Sequence, residues 1–254
     1  MPLYSVSHRP RHGWGAAALG TLVCLAGCTI PFDWLGGGQP KPAPPPTTWE
    51  SDTEAGAKAY EEGNLEEAET RLEEARARAD TGADDELAVA VSLSNLAIVR
   101  RARGDTDGAI ELQQEALSIR ERVQGADNPD VAVTLNSLAA LYAARDDYTA
   151  AEPLLTRALT IREQALGTSD RFTAQSVSNL ALLYAAQGRY ADAEPLYQRA
   201  VAIFEQRQAN ADLATALENY AALLDDTGRT KEADEMEKRA RTVRANGKGV
   251  TSDR

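Results

Sequence analysis

The side chains that carry most nucleophilic and acid–base chemistry are scarce in this chain of 254 residues: two histidines, His8 and His12, and two cysteines, Cys24 and Cys28. All four stand in the first 28 residues. Histidine serves as general acid and base, the thiolate as nucleophile, and the two together build the usual zinc sites. From residue 29 onward neither type occurs, which removes those chemistries, and an intrachain disulfide, from the body of the protein. No phosphate-cradling loop is present either, because Gly36–Gly38 leads into prolines rather than into a Lys-Ser pair. What remains is carboxylate. Adjacent acids at Glu61 and Glu62, Glu66 and Glu67, and Asp225 and Asp226 have the side chains for a glycosidase pair or a calcium site. Acidic pairs on amphipathic helices usually form a solvated face, and Asp225 and Asp226 sit beside Gly228, where a turn accounts for them. These residues predict no enzyme, no cofactor and no metal, with carboxylate-dependent catalysis the weakest alternative.

The segment that holds the histidines and cysteines is unlike the rest. Arg9 and Arg11 give it a positive start without any acid, and Gly15–Ala26 is an apolar run of small residues. A run that short fits a secretory signal, whereas a spanning helix needs about 20 residues. It ends in LAGC, Leu25–Cys28, which resembles the bacterial lipobox. The resemblance implies that a signal peptide over 1–27 is removed and that Cys28 is acylated as the first mature residue. Two or more acyl chains hold a protein to a bilayer where one is marginal, so the first expected partner is the membrane, through lipid on Cys28. Thr29 stands where this family uses Asp for inner-membrane retention, which implies the periplasmic face of the outer membrane in a bacterial cell envelope. Processing would take the 27 basic residues to 25 against 39 acidic ones, moving the net charge from −12 to −14. Bulk charge of that sign argues against nucleic acid and anionic lipid as partners. Next comes GGGQPKPAPPPTT at Gly36–Thr48, whose prolines favour extended polyproline II at about 3.1 Å per residue. A disordered, lipidated tether is expected over 28–50.

The elements that follow repeat. Leu96, Leu138 and Leu180 match, as do Ala97, Ala139 and Ala181, then Ala109, Ala151 and Ala193, then Ala116, Ala158 and Ala200, each step being 42 residues. The turn residue recurs as well, at Gly104, Asp146 and Gly188. A further step of 40 reaches Tyr220, Ala221, Gly228, Ala233 and Ala240, and a weaker copy precedes the set at Gly63, Ala68 and Ala75. Five units result. A period of this length marks stacked units that cannot bury their apolar faces alone. Within each unit the apolar residues fall at helical spacing, as in Leu180, Leu183 and Tyr184 and then Ala193, Leu196, Tyr197 and Ala200, which predicts a helical hairpin. The alanines let two helix axes approach to the low end of the usual distance.

Small residues at Ala97, Ala139, Ala181 and Ala221, with an alanine twelve later and another seven after that, have the spacing of the tetratricopeptide repeat, which the chain resembles. NPDVA at Asn128–Ala132 and AEPLY at Ala193–Tyr197 are similar to the longer variety found in kinesin light chain and many bacterial proteins. The resemblance implies an all-α fold, a right-handed α-solenoid of about five helix-turn-helix units over 51–244, with a disordered tail over 245–254. Asp127 or Asn128 can cap a helix that Pro129 opens, and Pro153 and Pro195 lie near the starts of second helices. In Thr230–Arg244 the apolar stripe narrows to Ala233, Met236, Ala240 and Val243, as a terminal helix requires.

In tetratricopeptide proteins the first helices line the concave side and hold peptides or partner helices. Asn95, Asn179 and Asn219 recur just before the shared apolar position, while Ser137 replaces the asparagine in the remaining unit with Asn136 adjacent. The resemblance therefore implies a peptide-binding groove carrying Asn95, Asn136, Gln175, Asn179 and Asn219. An amide side chain donates and accepts at once, as a peptide backbone demands; the alternative is an asparagine satisfied by the neighbouring hairpin. Val91, Val133, Gln175 and Thr215 stand where a clamp for a C-terminal carboxylate would need bases, so that clamp is not expected. Arg100, Arg101 and Arg103 read as surface pairing with the next unit, and Tyr142, Tyr148, Tyr184 and Tyr190 as core. The expected role is a lipid-anchored scaffold for protein or peptide ligands. An assembly or pilotin-like factor for a secretion or pilus system is the alternative, and self-association through imperfect end caps stays open.

Overall fold

The computed structural model describes residues 48–81 and 86–248. The leader, Cys28, the linker up to residue 47 and the tail from 249 lie outside them. The described residues form ten helices: α1 (Trp49–Glu61), α2 (Leu65–Thr81), α3 (Glu86–Ala102), α4 (Thr106–Gln124), α5 (Pro129–Ala143), α6 (Tyr148–Leu166), α7 (Arg171–Ala186), α8 (Tyr190–Gln206), α9 (Asn210–Asp226) and α10 (Thr230–Lys248). They pair into five hairpins, each helix packing on its neighbours in sequence and most extensively on its own hairpin partner. First helices of adjacent units also meet, α1 with α3, α5 with α7 and α7 with α9, while no pair of second helices meets to that extent. The stack therefore curves with the first helices on its inner side.

Every repeated alanine is buried, from 0% exposed at Ala109, Ala116, Ala151, Ala158, Ala181, Ala193 and Ala200 to 2% at Ala97. In the first unit Gly56 holds the place of Ala97, and a Cβ there would come within 2.7 Å of Leu72 Cγ. Small side chains are thus what bring the two helices of a hairpin together. The repeated turn position explains the recurring glycine: its backbone is left-handed, with φ of 88° at Gly104 and 72° at Gly188. Asp146 adopts φ 58° at the same place, a conformation that Asp tolerates better than most residues.

Boundaries follow cap chemistry. Thr48 caps α1, so the solenoid begins at Trp49, inside the expected linker. Asn128 rather than Asp127 caps α5, its Oδ1 accepting from the Asp130 amide at 2.8 Å, with Pro129 opening the helix. Pro153 and Pro195 lie deeper than expected, at the sixth residues of α6 and α8. The carbonyls of Thr149 and Ala191 lose their helical donors there, and both residues are exposed, where water can replace the amide. α10 buries Ala233 and Ala240 and runs on to Lys248, past the expected boundary at 244.

Charge pairs recur with the repeat. An arginine at each hairpin turn reaches back to the second helix of the preceding unit: Arg103 to Glu69, Arg145 to Asp107, Arg189 to Glu152 and Arg229 to Glu194. The cluster of Arg100 and Arg103 hence pairs with the unit before it, the reverse of the expected direction. Second helices are bridged by Arg157 with Glu121, Arg199 with Glu163 and Arg239 with Glu205. Pairs this exposed contribute roughly 0–1 kcal/mol each.

Candidate functional site

The inner face is built by one stripe of each first helix, and its amides have unequal surroundings. Asn95 is half-buried at the edge of a narrow cleft between α1 and α3, with Ala57, Tyr60 and Ile98 in its walls. Asn219 on α9 is half-buried and makes no side-chain hydrogen bond among the described residues. Asn179 on α7 donates one amide N–H from Nδ2 to Asn136 Oδ1 at 3.1 Å, which leaves its second N–H and its oxygen available. Gln175 donates to Asp212 Oδ1 at 3.2 Å across the α7–α9 contact. Asn95, Gln175, Asn179 and Asn219 thus share the inner side.

Asn136 departs from the expectation. It is 4% exposed, and its amide donates to the Ala132 carbonyl at 2.7 Å and to Ser176 Oγ at 3.3 Å. One residue is about 100° of helix rotation, so the neighbour Ser137 stands at the surface position and Asn136 is turned into the α5–α7 seam. Along the first helices Val133 is 45% exposed, whereas Ala140 and Leu182 are buried at 5% and 3%.

Behind that seam lies a feature the sequence reading missed. Arg162 on α6 is 5% exposed, and its Nη1 donates to the Phe172 carbonyl at 2.7 Å and to Ser176 Oγ at 3.1 Å. Burial pulls its pKa down to about 10, and Asp170 offsets part of that. Arg120 repeats the arrangement one unit earlier, donating to Ser94 and Thr134. Both arginines fall four residues after a packing alanine, Ala116 and Ala158, on the stripe that should be apolar, and that was the available signal. Asn179 is therefore wired through Asn136 and Ser176 to a buried cation.

The repeated tyrosines Tyr142, Tyr148, Tyr184 and Tyr190 pack, partly buried, against the core, and their hydroxyls reach its rim. Tyr142 accepts from Gln114 at 2.9 Å, and Tyr184 donates to Glu152 at 3.1 Å, with Arg189 stacked 3.9 Å over its ring. Burial first, and then the Glu152 contact, pushes the Tyr184 hydroxyl above its ordinary pKa. Tyr142 and Tyr184 thus brace their units to the preceding ones, whereas Tyr148 donates to Asp146 of its own turn at 2.9 Å. Among the described residues no group of three or more His, Cys, Asp and Glu is placed to hold a metal.

A profile described as "Tetratricopeptide repeat" matches residues 54–121, 88–164 and 170–246. The chain belongs to the tetratricopeptide repeat family. Its repeats make it a scaffold of the protein-interaction kind. BtubC (BKLC) from P. vanneervenii is similar at 26% identity, covering 79% of this chain and 81% of that one with a TM-score of 0.68. Nearly identical TPR-like repeats of the kinesin light chain type from Podosopora anserina are similar at 23% identity, covering 80% and 98% with a TM-score of 0.64. A Rap protein complexed with Competence and Sporulation Factor is similar at 19%, covering 78% and 54% with a TM-score of 0.67. The last two share the fold of this tetratricopeptide chain. No curated protein matches the sequence.

Proposed function

We propose that the protein is a lipid-anchored tetratricopeptide scaffold of the bacterial cell envelope that holds a peptide or helix against the inner face of its first helices. The observation that carries the binding reading is the inward row of half-buried amides, Asn95, Gln175, Asn179 and Asn219, on helices drawn together by the curvature. A peptide added along that row finds donors and acceptors in place. The Rap protein solved with Competence and Sporulation Factor supports the same mode by analogy of fold. The anchor reading rests on LAGC at Leu25–Cys28 and the proline-rich spacer behind it.

Two experiments test these parts separately. Palmitate labelling should mark the wild type and spare Cys28→Ala; equal labelling of both ends the anchor reading. Affinity capture from envelope extracts, comparing wild type with a combined Asn95→Ala, Asn179→Ala and Asn219→Ala variant, should lose the partner in the variant while the helical melt is retained. Identical recovery by both proteins moves binding away from the inner face.

A further inference from the structure

We infer that the inner face takes an extended peptide through one aliphatic side chain seated against Val133 and Phe172, where the third unit meets the fourth. The inference rests on the groove reading above and names the subsite and the chemistry of its ligand. Four large apolar side chains are exposed among the described residues, and two of them, Val133 at 45% and Phe172 at 49%, fall on the inner stripes of adjacent first helices. Val133 stands four residues before Ser137, and Phe172 seven before Asn179, whole-turn spacings from the surface position of each helix. They also flank one seam. Asn136 on α5 donates to Ser176 on α7, and one turn back along each helix lie Val133 and Phe172. Apolar side chains left in the open together, beside free polar groups, mark a binding surface.

The surroundings select the ligand. The Arg162 guanidinium lies 5.8 Å from the centroid of the Phe172 ring and donates to the Phe172 carbonyl, so the ring is held and already shares a face with a cation. That leaves it little attraction for a second one. Acids stand nearby, with Asp130 one turn before Val133 and Asp170 two residues before Phe172, while the adjacent Arg171 is paired with Asp212. A carboxylate in the ligand is repelled there. An uncharged side chain of leucine, isoleucine or valine size meets both conditions. Farther along α7, Asn179 keeps one N–H and its oxygen open. A helical ligand has spent its backbone groups on its own turns, whereas an extended one offers both a carbonyl and an amide. Seven residues of helix span about 10 Å, or about three residues of extended chain. The peptide group that Asn179 bonds therefore stands about three residues from the seated side chain.

Selection of random dodecapeptides on the full-length chain in detergent micelles tests this. Retained peptides should share one aliphatic residue without an acid beside it. Their affinity should fall by about tenfold or more in a Val133→Ser and Phe172→Ala variant. Val133→Ser alone, which leaves the Arg162 contacts in place, should lower it in the same direction. Val123→Ser with Leu166→Ala, an equal apolar loss at exposed positions off the inner stripes, should leave it unaltered. N-methylation of the peptide, one backbone amide at a time, should weaken binding most about three residues from the aliphatic one. Enrichment of acidic peptides, of an apolar i, i+3, i+4 helical pattern, or no retained peptide overturns the inference. So does an affinity indifferent to Val133 and Phe172; if Asn179→Ala still weakens that peptide, the groove reading stands without this subsite, and if Asn179→Ala also has no effect, both fall.

Discussion

The fourth hairpin is joined to its two neighbours by opposite chemistry. Toward the third, Arg162 reaches Ser176 and the Phe172 carbonyl, and Asn136 completes the set. Toward the fifth, Phe204 holds the place of Arg162 and is 2% exposed, while Ala216 stands where Ser176 does and Leu213 and Leu217 close around the ring. Both junctions are buried, so the difference is in kind. A buried cation whose hydrogen-bond partners are all neutral carries a desolvation cost that those bonds offset only in one alignment. A phenyl ring is buried favourably in many alignments. The polar junction therefore contributes register and the apolar one cohesion. In a solenoid, where stability is close to a sum of unit and nearest-neighbour terms, that division makes stability uneven along the axis.

Several measurements would break this contrast, in decreasing order of effect. Phe204→Ala should cost about 3–5 kcal/mol, read from the urea midpoint, because it opens a cavity where α7, α8 and α9 meet. A loss under 1 kcal/mol would remove the apolar junction as a source of cohesion. Arg162→Phe combined with Ser176→Ala copies the fifth-unit junction into the fourth and should gain about 1–3 kcal/mol. A net loss in that variant would make the polar rung stabilising in its own right. Tyr197 stacks on Tyr220 with ring centroids 6.0 Å apart, but its buried hydroxyl has no partner. Tyr197→Phe should thus gain about 1 kcal/mol, seen as a raised Tm, and a lowered Tm would refute the orphaned hydroxyl.

The smallest effect is one of pH. The Arg229 hydrogen bond, aided by Tyr220 and opposed by partial burial, holds the Glu194 carboxyl below its ordinary value of 4.5. A carboxyl whose folded pKa is depressed stabilises fully above its unfolded value, and that contribution is lost as pH falls through the folded one. Protection factors for amide exchange in α9 and α10, corrected for the intrinsic pH dependence of exchange, should fall as pH drops below about 4.5, and Arg229→Gln should flatten that dependence. An equal fall throughout α1 to α8 would show that the pairing is not local to the junction.

How far the fold could be read in advance depended on whether a residue's role is set by its own helix. The alanine positions, the left-handed turn residues and the Asn128 and Pro129 helix start were legible because each rests on local spacing or backbone conformation. Gly56 belongs to the same class, as a small residue at the small-residue position. The groove amides were partly legible. Asn95, Gln175, Asn179 and Asn219 reach the inner side as their register requires, but Asn136 and Ser137 are adjacent polar residues, and a quarter turn of helix decides between seam and surface. Arg162 was illegible as core, and Arg120 as its half-buried counterpart, since an arginine on a helix ordinarily means water.

The order of the amino acids alone specified a stack of helical hairpins, because a period of 42 residues with small side chains at constant offsets has one economical packing solution. It also determined that His and Cys chemistry is confined to the first 28 residues. Packing between hairpins settled which amides stay on the inner face, which polar residues are spent on joining units, and that the fourth hairpin faces one neighbour through a cation and the other through a ring. Those outcomes depend on contacts between residues some 40 positions apart, such as Asn136 with Ser176 and Asn179, whose alignment is set by how the hairpins stack and not by any single helix.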